Sequence, residues 1–414
     1  MGVTPLNRFA RVRNALDAYP PLLRLLAVGS FLNVAGSSFL WPLNQIYIHN
    51  VLGKPLTVAG NVLLLHAGGA VLGQFAGGVL YDRIGARPVL LAGVFSSAAL
   101  ICLPGLFSNW TLYVAVMLLY GFAVTVPVPA LQAMVARAWP EGGRKGYNFL
   151  YVANNLGVAV GTAVGGVVAG ASFKFAFLAA SLLFVVYGIY ASFAIHDPTG
   201  PAARPDRPVG PELAGAREPE AAPIPWVPIL ALLLGMMVSW IVYVQWQGAI
   251  AVHMTASGTP TRLYGLLWTL NGALIVLGQP LSSRVVRLAG TFANQLRLGI
   301  LLYAAAFSVL FTADRYPIYV VGMVLLTFGE MLLLPVIPAA VAQVSPPSRR
   351  GFLQGFVGAG MSGGRMLGPL LGGLLFDHTS FRMVLLVMTA TLSIPFLAFS
   401  VYAAATRHVE TAGG

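Results

Sequence analysis

Two ionisable side chains stand inside otherwise apolar stretches: Glu330 in TFGEMLLLPVIP and Arg365 in GGRMLGPLLGGLLFD. A carboxyl shielded from water can take up and release a proton, whereas a guanidinium keeps its own at any ordinary pH. Side by side they form a switch whose charge responds to entering water or substrate. The competing role is a static ion pair that only fixes helix packing. Glu330 precedes Val344 by 14 residues and Arg365 follows Gly351 by 14. At the rise of an α-helix both then lie about 21 Å from the same surface, a matched depth that predicts a Glu330 and Arg365 pair. His66, in LLLHAGG, is a third group able to relay a proton, although a buried histidine is more often simply hydrogen-bonded in place. His49 and His253 fall nearer helix ends, where solvation is the simpler role.

The chain excludes several classes of chemistry. It carries no G-x-x-x-x-G-K-[ST] phosphate loop, so ATP is not the expected energy source. Its lone cysteine, Cys102, forms no internal disulfide, and no Cys/His cluster has metal-ligand spacing. Neither an enzyme nor a cofactor or metal site is expected.

The elements that position these residues follow from composition. Of 414 residues 57% are hydrophobic and 9% charged, with a mean hydropathy of +0.80. Such a chain belongs in a bilayer. Apolar runs long enough to cross the hydrocarbon core, which takes about 20 residues, are read at 22–48, 57–80, 88–107, 110–137, 146–169, 174–195, 224–252, 263–285, 296–313, 317–343, 352–376 and 381–405. Long continuous runs indicate helices rather than the alternating strands of a barrel. The basic residues Arg8, Arg11 and Arg13 before the first run superficially resemble a signal peptide, yet that run is too long and lacks a small-residue cleavage pattern.

A net charge of +12 raises the question of nucleic acid, and the placement of the charges answers it. With the amino terminus inside, all lysines and arginines lie on the cytoplasmic side except Lys54, Lys174, Arg262, Arg315, Arg382 and the membrane-depth Arg365. This bias predicts a multi-pass cell-membrane protein with both termini cytoplasmic and no nucleic-acid partner.

Between His196 and Pro225 the chain turns polar and proline-rich, a composition unable to bury enough apolar surface to fold alone. The domains expected are an amino-terminal six-helix bundle over 1–195, a cytoplasmic linker over 196–223 and a carboxy-terminal six-helix bundle over 224–414. The bundles read as weak copies. Gly73-Gln74 matches Gly278-Gln279 and His66 matches Asn271, 205 residues apart, as do Arg144-Lys145-Gly146 and Arg349-Arg350-Gly351; Gly157, Gly161, Gly165 and Gly166 recur as Gly364, Gly368, Gly372 and Gly373 at 207. Parallel repeats of this kind place a substrate site near the midplane between halves that rock to give alternating access.

The chain resembles the major facilitator superfamily over nearly its whole length. GGVLYDRIGARPVLL is similar to that family's G-x-L-x-D-R-x-G-R-[KR] signature, with Gly78, Leu80, Asp82, Arg83, Gly85 and Arg87 in place and Ala86 where the first basic residue of the final pair is common. The resemblance implies that Asp82 latches the cytoplasmic gate by pairing with a helix end and basic residues. The stripe Gly364 to Gly373 with Pro369 resembles the antiporter signature G-x-x-x-G-P-x-x-G-G; its first-half copy has Thr162 in place of proline. Glycines four apart also let a neighbouring helix approach closely, which is the packing role of such a stripe. The implied fold is all-α, with 12 transmembrane helices in two pseudo-symmetric bundles.

By the same resemblance the first and seventh spans line the central cavity together with the fourth and tenth. Asn33, Trp41, Asn44, Gln45 and Tyr47 lie on the first, and Trp240, Tyr243, Gln245, Trp246 and Gln247 on the seventh. Trp268 and Asn271 on the eighth, with Asn154 and Asn155 on the fifth, add to them. Aromatic walls with sparse uncharged polar groups suit a lipophilic or amphipathic small molecule, although aromatics near helix ends, such as Tyr47, also belong to an interfacial belt. The expected function is that of a monomeric secondary transporter, a proton-coupled antiporter exporting lipophilic or amphipathic compounds. A proton-coupled lipid or glycolipid translocase, and a ligand sensor of transporter fold that moves nothing, are the alternatives.

Overall fold

Backbone groups in hydrocarbon find no water to bond, so long apolar runs must satisfy them internally, and every regular element among the described residues is a helix. The computed structural model describes residues 17, 19–139, 144–195, 223–346 and 349–410. The linker expected over 196–223 lies outside the described residues except at its last position, as do Arg8, Arg11, Arg13 and the last four residues.

Helix α1 (Pro21–Ser38) runs on through a 3-10 turn at Trp41–Leu43, a single α-turn and a π-turn at Tyr47–Val51. There follow α2 (Leu56–Ile84), α3 (Ala86–Leu106), α4 (Trp110–Thr125), α5 (Pro127–Ala138), α6 (Arg144–Ala171) and α7 (Phe173–Ala194). Beyond the linker come α8 (Trp226–Tyr243), α9 (Ala249–Ala256), α10 (Thr261–Leu277), α11 (Gln279–Ala289), α12 (Phe292–Val309), α13 (Tyr316–Leu333), α14 (Val336–Val344), α15 (Arg350–His378), α16 (Phe381–Thr391) and α17 (Ser393–Glu410).

Ten helical stretches among the described residues are long and apolar enough to cross a membrane, some of them joining two consecutive helices across a bend. The two remaining expected spans differ for physical reasons. The run at 263–285 divides at Gly278 into α10 and α11, where Pro280 in the first turn of α11 supplies no amide to continue the helix. The run at 352–376 lies within α15, which is 29 residues long and carries Arg365 and Asp377.

By contact, the described residues of 1–41 and 65–207 form one compact unit, and those of 42–64 and 208–414 a second. The end of the first span and the beginning of the second therefore group with the second unit. In the first unit α1 packs along α6 and α7, and α3 along α7 and α4. In the second, α8 packs along α15 and α17, while α13 packs along α12 and α10.

The glycine stripes allow a close backbone approach in two of these contacts. A Cβ at Gly157, Gly161 or Gly165 would stand 2.8, 2.4 or 2.7 Å from backbone atoms of Phe31, Ala35 or Phe39, on α1 and its C-cap. On α15, a Cβ at Gly364 would stand 2.3 Å from the Met237 carbonyl oxygen and one at Gly368 would meet Val244 and Ile241 of the same stretch. Each bundle thus uses one stripe to bring a helix backbone against its partner, the close-packing device of membrane helices.

Candidate functional site

Glu330 lies near the carboxy-terminal end of α13, 8% exposed. Its Oε2 accepts one hydrogen bond from the Tyr243 hydroxyl on α8 at 3.2 Å and a second from the Asn271 side-chain amide on α10 at 3.0 Å. The same amide nitrogen donates to Thr327 Oγ1 at 3.0 Å, one turn before Glu330, and the Thr327 hydroxyl donates on to the Met323 carbonyl at 2.7 Å. Three helices therefore meet at one carboxyl oxygen. Removed from water, an acid needs such donors, because an unpaired charge in this setting is costly.

An aromatic cage surrounds the acid. The Tyr243 ring lies 4.8 Å from Trp240 and 6.1 Å from each of Trp268 and Tyr303. The guanidinium of Arg365, on α15, sits over the Trp240 ring at 5.1 Å from its centroid, a cation–π geometry. Acid and base are thus joined through the Tyr243–Trp240 pair: the tyrosine holds the carboxylate and the neighbouring indole holds the guanidinium. Glu330 is buried while Arg365 is exposed. Against the Tyr243 and Trp240 rings is a cavity of about 10 Å³, also lined by Ser239 and Tyr303, room for one water at most. This arrangement sets a buried carboxyl on two hydrogen-bond donors, with a guanidinium on the neighbouring indole ring.

The remaining expected substrate residues fall in different settings. Gln245, in the 3-10 turn that follows α8, donates its amide to the carbonyls of Ile241 and Gly368, both at 2.9 Å, and so ties that turn to the α15 stripe. Trp246 is fully buried, with its ring edge against Gly322. Asn44 and Gln45 are buried in the second unit. Both polar atoms of Gln45, the Nε2 of Gln247 and the indole nitrogens of Trp240 and Trp246 are buried with no hydrogen-bond partner among the described residues, which is spare bonding capacity of the kind a water or a polar ligand group satisfies. Asn33, Trp41 and Asn154 belong to the first unit and are half-buried, with Asn154 Oδ1 also unpartnered. His66 is in the first unit as well: its Nδ1–H donates to the Met117 carbonyl at 3.1 Å, and its ring faces Tyr120 at 5.7 Å.

The signature loop lies between α2 and α3. Asp82 and Arg83 are exposed at the end of α2. Gly85 has a φ of +86°, a left-handed conformation that glycine adopts without strain, and it turns the chain directly into α3. Arg87 donates to the Ser192 carbonyl at 2.6 Å near the end of α7. A Cβ at Gly78 would meet open space.

Sequence reasoning did not single out three residues that the structure sets beside Glu330 or, in the case of Asp377, at the end of α15 against the amides of Leu56 and Thr57. Thr327 and Tyr303 complete the surroundings of Glu330. The i, i+3 spacing of Thr327 to Glu330 on one helix face was a usable signal, whereas Tyr303 looked like any aromatic in an apolar run. Asp377 had only its place at the end of the last glycine-rich span to mark it.

Comparison with known proteins follows the same lines. The chain matches the profile of the Major Facilitator Superfamily over residues 26–293 and 229–412. It is 42% identical to the MFS-type transporter YttB of Bacillus subtilis (strain 168) over 91% of this chain and 93% of that one. It is 25% identical to the multidrug resistance protein MdtH of Aeromonas salmonicida (strain A449), covering 86% and 87%. Among solved structures, a mutant form of the nucleoside transporter NupG superposes with a TM-score of 0.71 at 14% identity, covering 92% of this chain and 99% of that one. The POT family transporter PepTSo gives 0.74 at 14%, covering 95% and 99%. At these identities the structural likeness speaks for the fold alone.

Proposed function

Because the chain belongs to the major facilitator superfamily of transporters, we propose that it is a proton-coupled antiporter that exports lipophilic or amphipathic small molecules by alternating access. In this reading α10 with α11, and α15, are the eleventh and twelfth membrane crossings beside the ten apolar stretches. Two six-helix bundles, 1–195 and 224–414, are joined by the cytoplasmic linker 196–223, with both termini on the cytoplasmic side of the cell membrane and the protein acting as a monomer.

The observation that carries the proposal is the carboxyl of Glu330, buried and held by Tyr243 and Asn271. Ionisable groups at membrane depth are rare and mark ion and proton pathways. Protonation of Glu330 removes the negative charge that the Tyr243 and Asn271 donors compensate, and the guanidinium of Arg365 then becomes the dominant local charge. Substrate and proton thereby compete for one electrostatic setting, which is what antiport requires. The substrate class rests on the aromatic, sparsely polar surroundings of this acid, with weaker support from the multidrug resistance relative.

The experiment is reconstitution in liposomes with an imposed pH gradient, screening lipophilic cations beside fluorescently labelled lipids. Gradient-driven movement of the cations supports the proposal. Movement of labelled lipid alone would reassign the protein to the lipid-translocating class.

A further inference from the structure

Asp377 stands in the last turn of α15 and closes the first turn of α2. One carboxylate oxygen accepts the Leu56 amide at 3.0 Å and the other the Thr57 amide at 2.7 Å. The first amides of a helix have no acceptor within it and carry the positive end of its dipole. A carboxylate here is therefore both a cap and a countercharge, supplied by a residue 320 positions away in the chain.

Other contacts surround this one, all within the second unit. The backbones themselves touch: a Cβ at Gly373 would stand 2.6 Å from the Leu56 carbonyl oxygen, and one at Gly60 would stand 2.6 Å from the Leu370 Cα. Asn50 donates to Thr255 Oγ1 at 2.9 Å, tying the π-turn before α2 to the end of α9. His49 meets the Phe376 ring at 6.1 Å, and its Nδ1–H donates to the Lys54 carbonyl at 2.9 Å. Burial alone would push the Asp377 carboxyl up, but the hydrogen bonds from Thr57 and Leu56 and the nearby His49 outweigh it and hold the group below its ordinary value. The carboxylate stays charged throughout the neutral range.

Helix α2 is divided between the two units. Residues 56–64 group with the second and 65–84 with the first. The attachment at its amino end is made by an ionised side chain, and the repeat carries no twin of it. The residue 207 positions before Asp377 is Gly170, so the corresponding place in the first half has no charge to offer.

We propose that Asp377 is a releasable latch, clipping the amino end of α2 to α15 so that residues 42–64 stay with the second unit, and that its release is the step by which this segment changes units during transport. The proposal rests on the alternating-access reading above, but its test does not depend on proton coupling or on any substrate. Cys102 is the chain's single cysteine, so a Cys102→Ser background leaves a clean protein for labelling. Spin labels at Val51→Cys, which is 54% exposed, and Arg382→Cys, also exposed, report the separation of segment 42–64 from the start of α16 by pulsed electron resonance in nanodiscs.

Asp377→Ala is expected to raise the ratio of long to short distances about 4- to 150-fold, the range for losing a helix cap together with its charge, and Asp377→Asn, which keeps a capping side chain and loses only the charge, about 2- to 5-fold. Gly373→Ala, which wedges the same two backbones apart without touching the carboxylate, should move the ratio in the same direction. Asp377 variants with the parent's distance distribution would overturn the latch. A Glu330→Gln protein carrying the same labels keeps the two proposals apart, since loss of coupling with an unchanged distance response removes neither the latch nor its evidence.

Discussion

Replacing Gly161 by alanine tests the close approach of α1 and α6 with a single methyl group. The new Cβ would stand 2.4 Å from the Ala35 carbonyl oxygen, 2.9 Å from its Cα and 3.0 Å from its carbonyl carbon. These are backbone atoms, which cannot rotate aside as the end of a side chain would. Restoring ordinary contact, from 2.4 to 3.4 Å, requires the helices to part by about 1 Å, and overpacking of this kind costs about 1–3 kcal/mol. For a bundle of this size each kcal/mol lowers the melting temperature by about 2–4 °C. Gly161→Ala should therefore melt about 2–12 °C below the parent in detergent, followed by fluorescence-detected gel filtration after heating. Gly358, on the third turn of α15, is the control, because a Cβ there would meet nothing within 4 Å. Gly358→Ala should melt with the parent or slightly above it, since alanine is the better helix former by about 1 kcal/mol. Equal melting of Gly161→Ala and the parent would refute the reasoning, as it would mean that the α1–α6 interface has slack the backbone distances deny.

Two further outcomes are expected. Tyr243→Phe and Asn271→Ala each remove one donor from Glu330 Oε2, and a hydrogen bond to a charged group contributes about 1.5–3 kcal/mol; either change should slow gradient-driven transport by at least about 10-fold, with the double variant less than additive because both act on one oxygen. The attachment of α2 through Asp377 should be insensitive to pH across the neutral range. A carboxyl whose folded value is depressed contributes stability above its unfolded value of about 4 and loses it as pH falls through the lower folded value. The spin-label distances should therefore lengthen only in that acidic range, and a change centred near neutral pH would contradict the assignment of the attachment to Asp377.

Much of this molecule was legible in advance because hydropathy is a strong signal. The first expected span, 22–48, is found at Pro21–Val51, and the sixth, 174–195, at Phe173–Ala194. What periodicity cannot carry is where a helix bends inside lipid. The break at Gly278 needed Pro280 to be read as a first-turn residue of a new helix, and the 3-10 and π turns at Trp41–Val51 leave no mark in composition. The glycine stripes were legible as packing surfaces, since spacing of four on a helix is a geometric statement, but their partners on α1 and α8 were not.

The candidate site was legible in part for a similar reason. Glu330 and Arg365 are conspicuous in any apolar run, and the expectation of a matched depth came from counting helical rise along each run. Their mode of association was not. Depth leaves the azimuth of each side chain open, and the structure connects the two through Tyr243 and Trp240. The partners of Glu330 on α8 and α10 depend on helix packing that no local pattern encodes. Asp377 shows the same limit, because a carboxylate at a helix end reads as solvated until another helix is found to begin against it.

The most direct test of the account is proton release on substrate binding, measured with a pH-sensitive dye in weakly buffered detergent solution. Any compound that moves down the liposome gradient serves as the probe, with parent and Glu330→Gln proteins side by side. The parent should release protons on binding the compound, whereas Glu330→Gln should bind it and release none. Equal release from both proteins would contradict the assignment of Glu330 as the coupling acid.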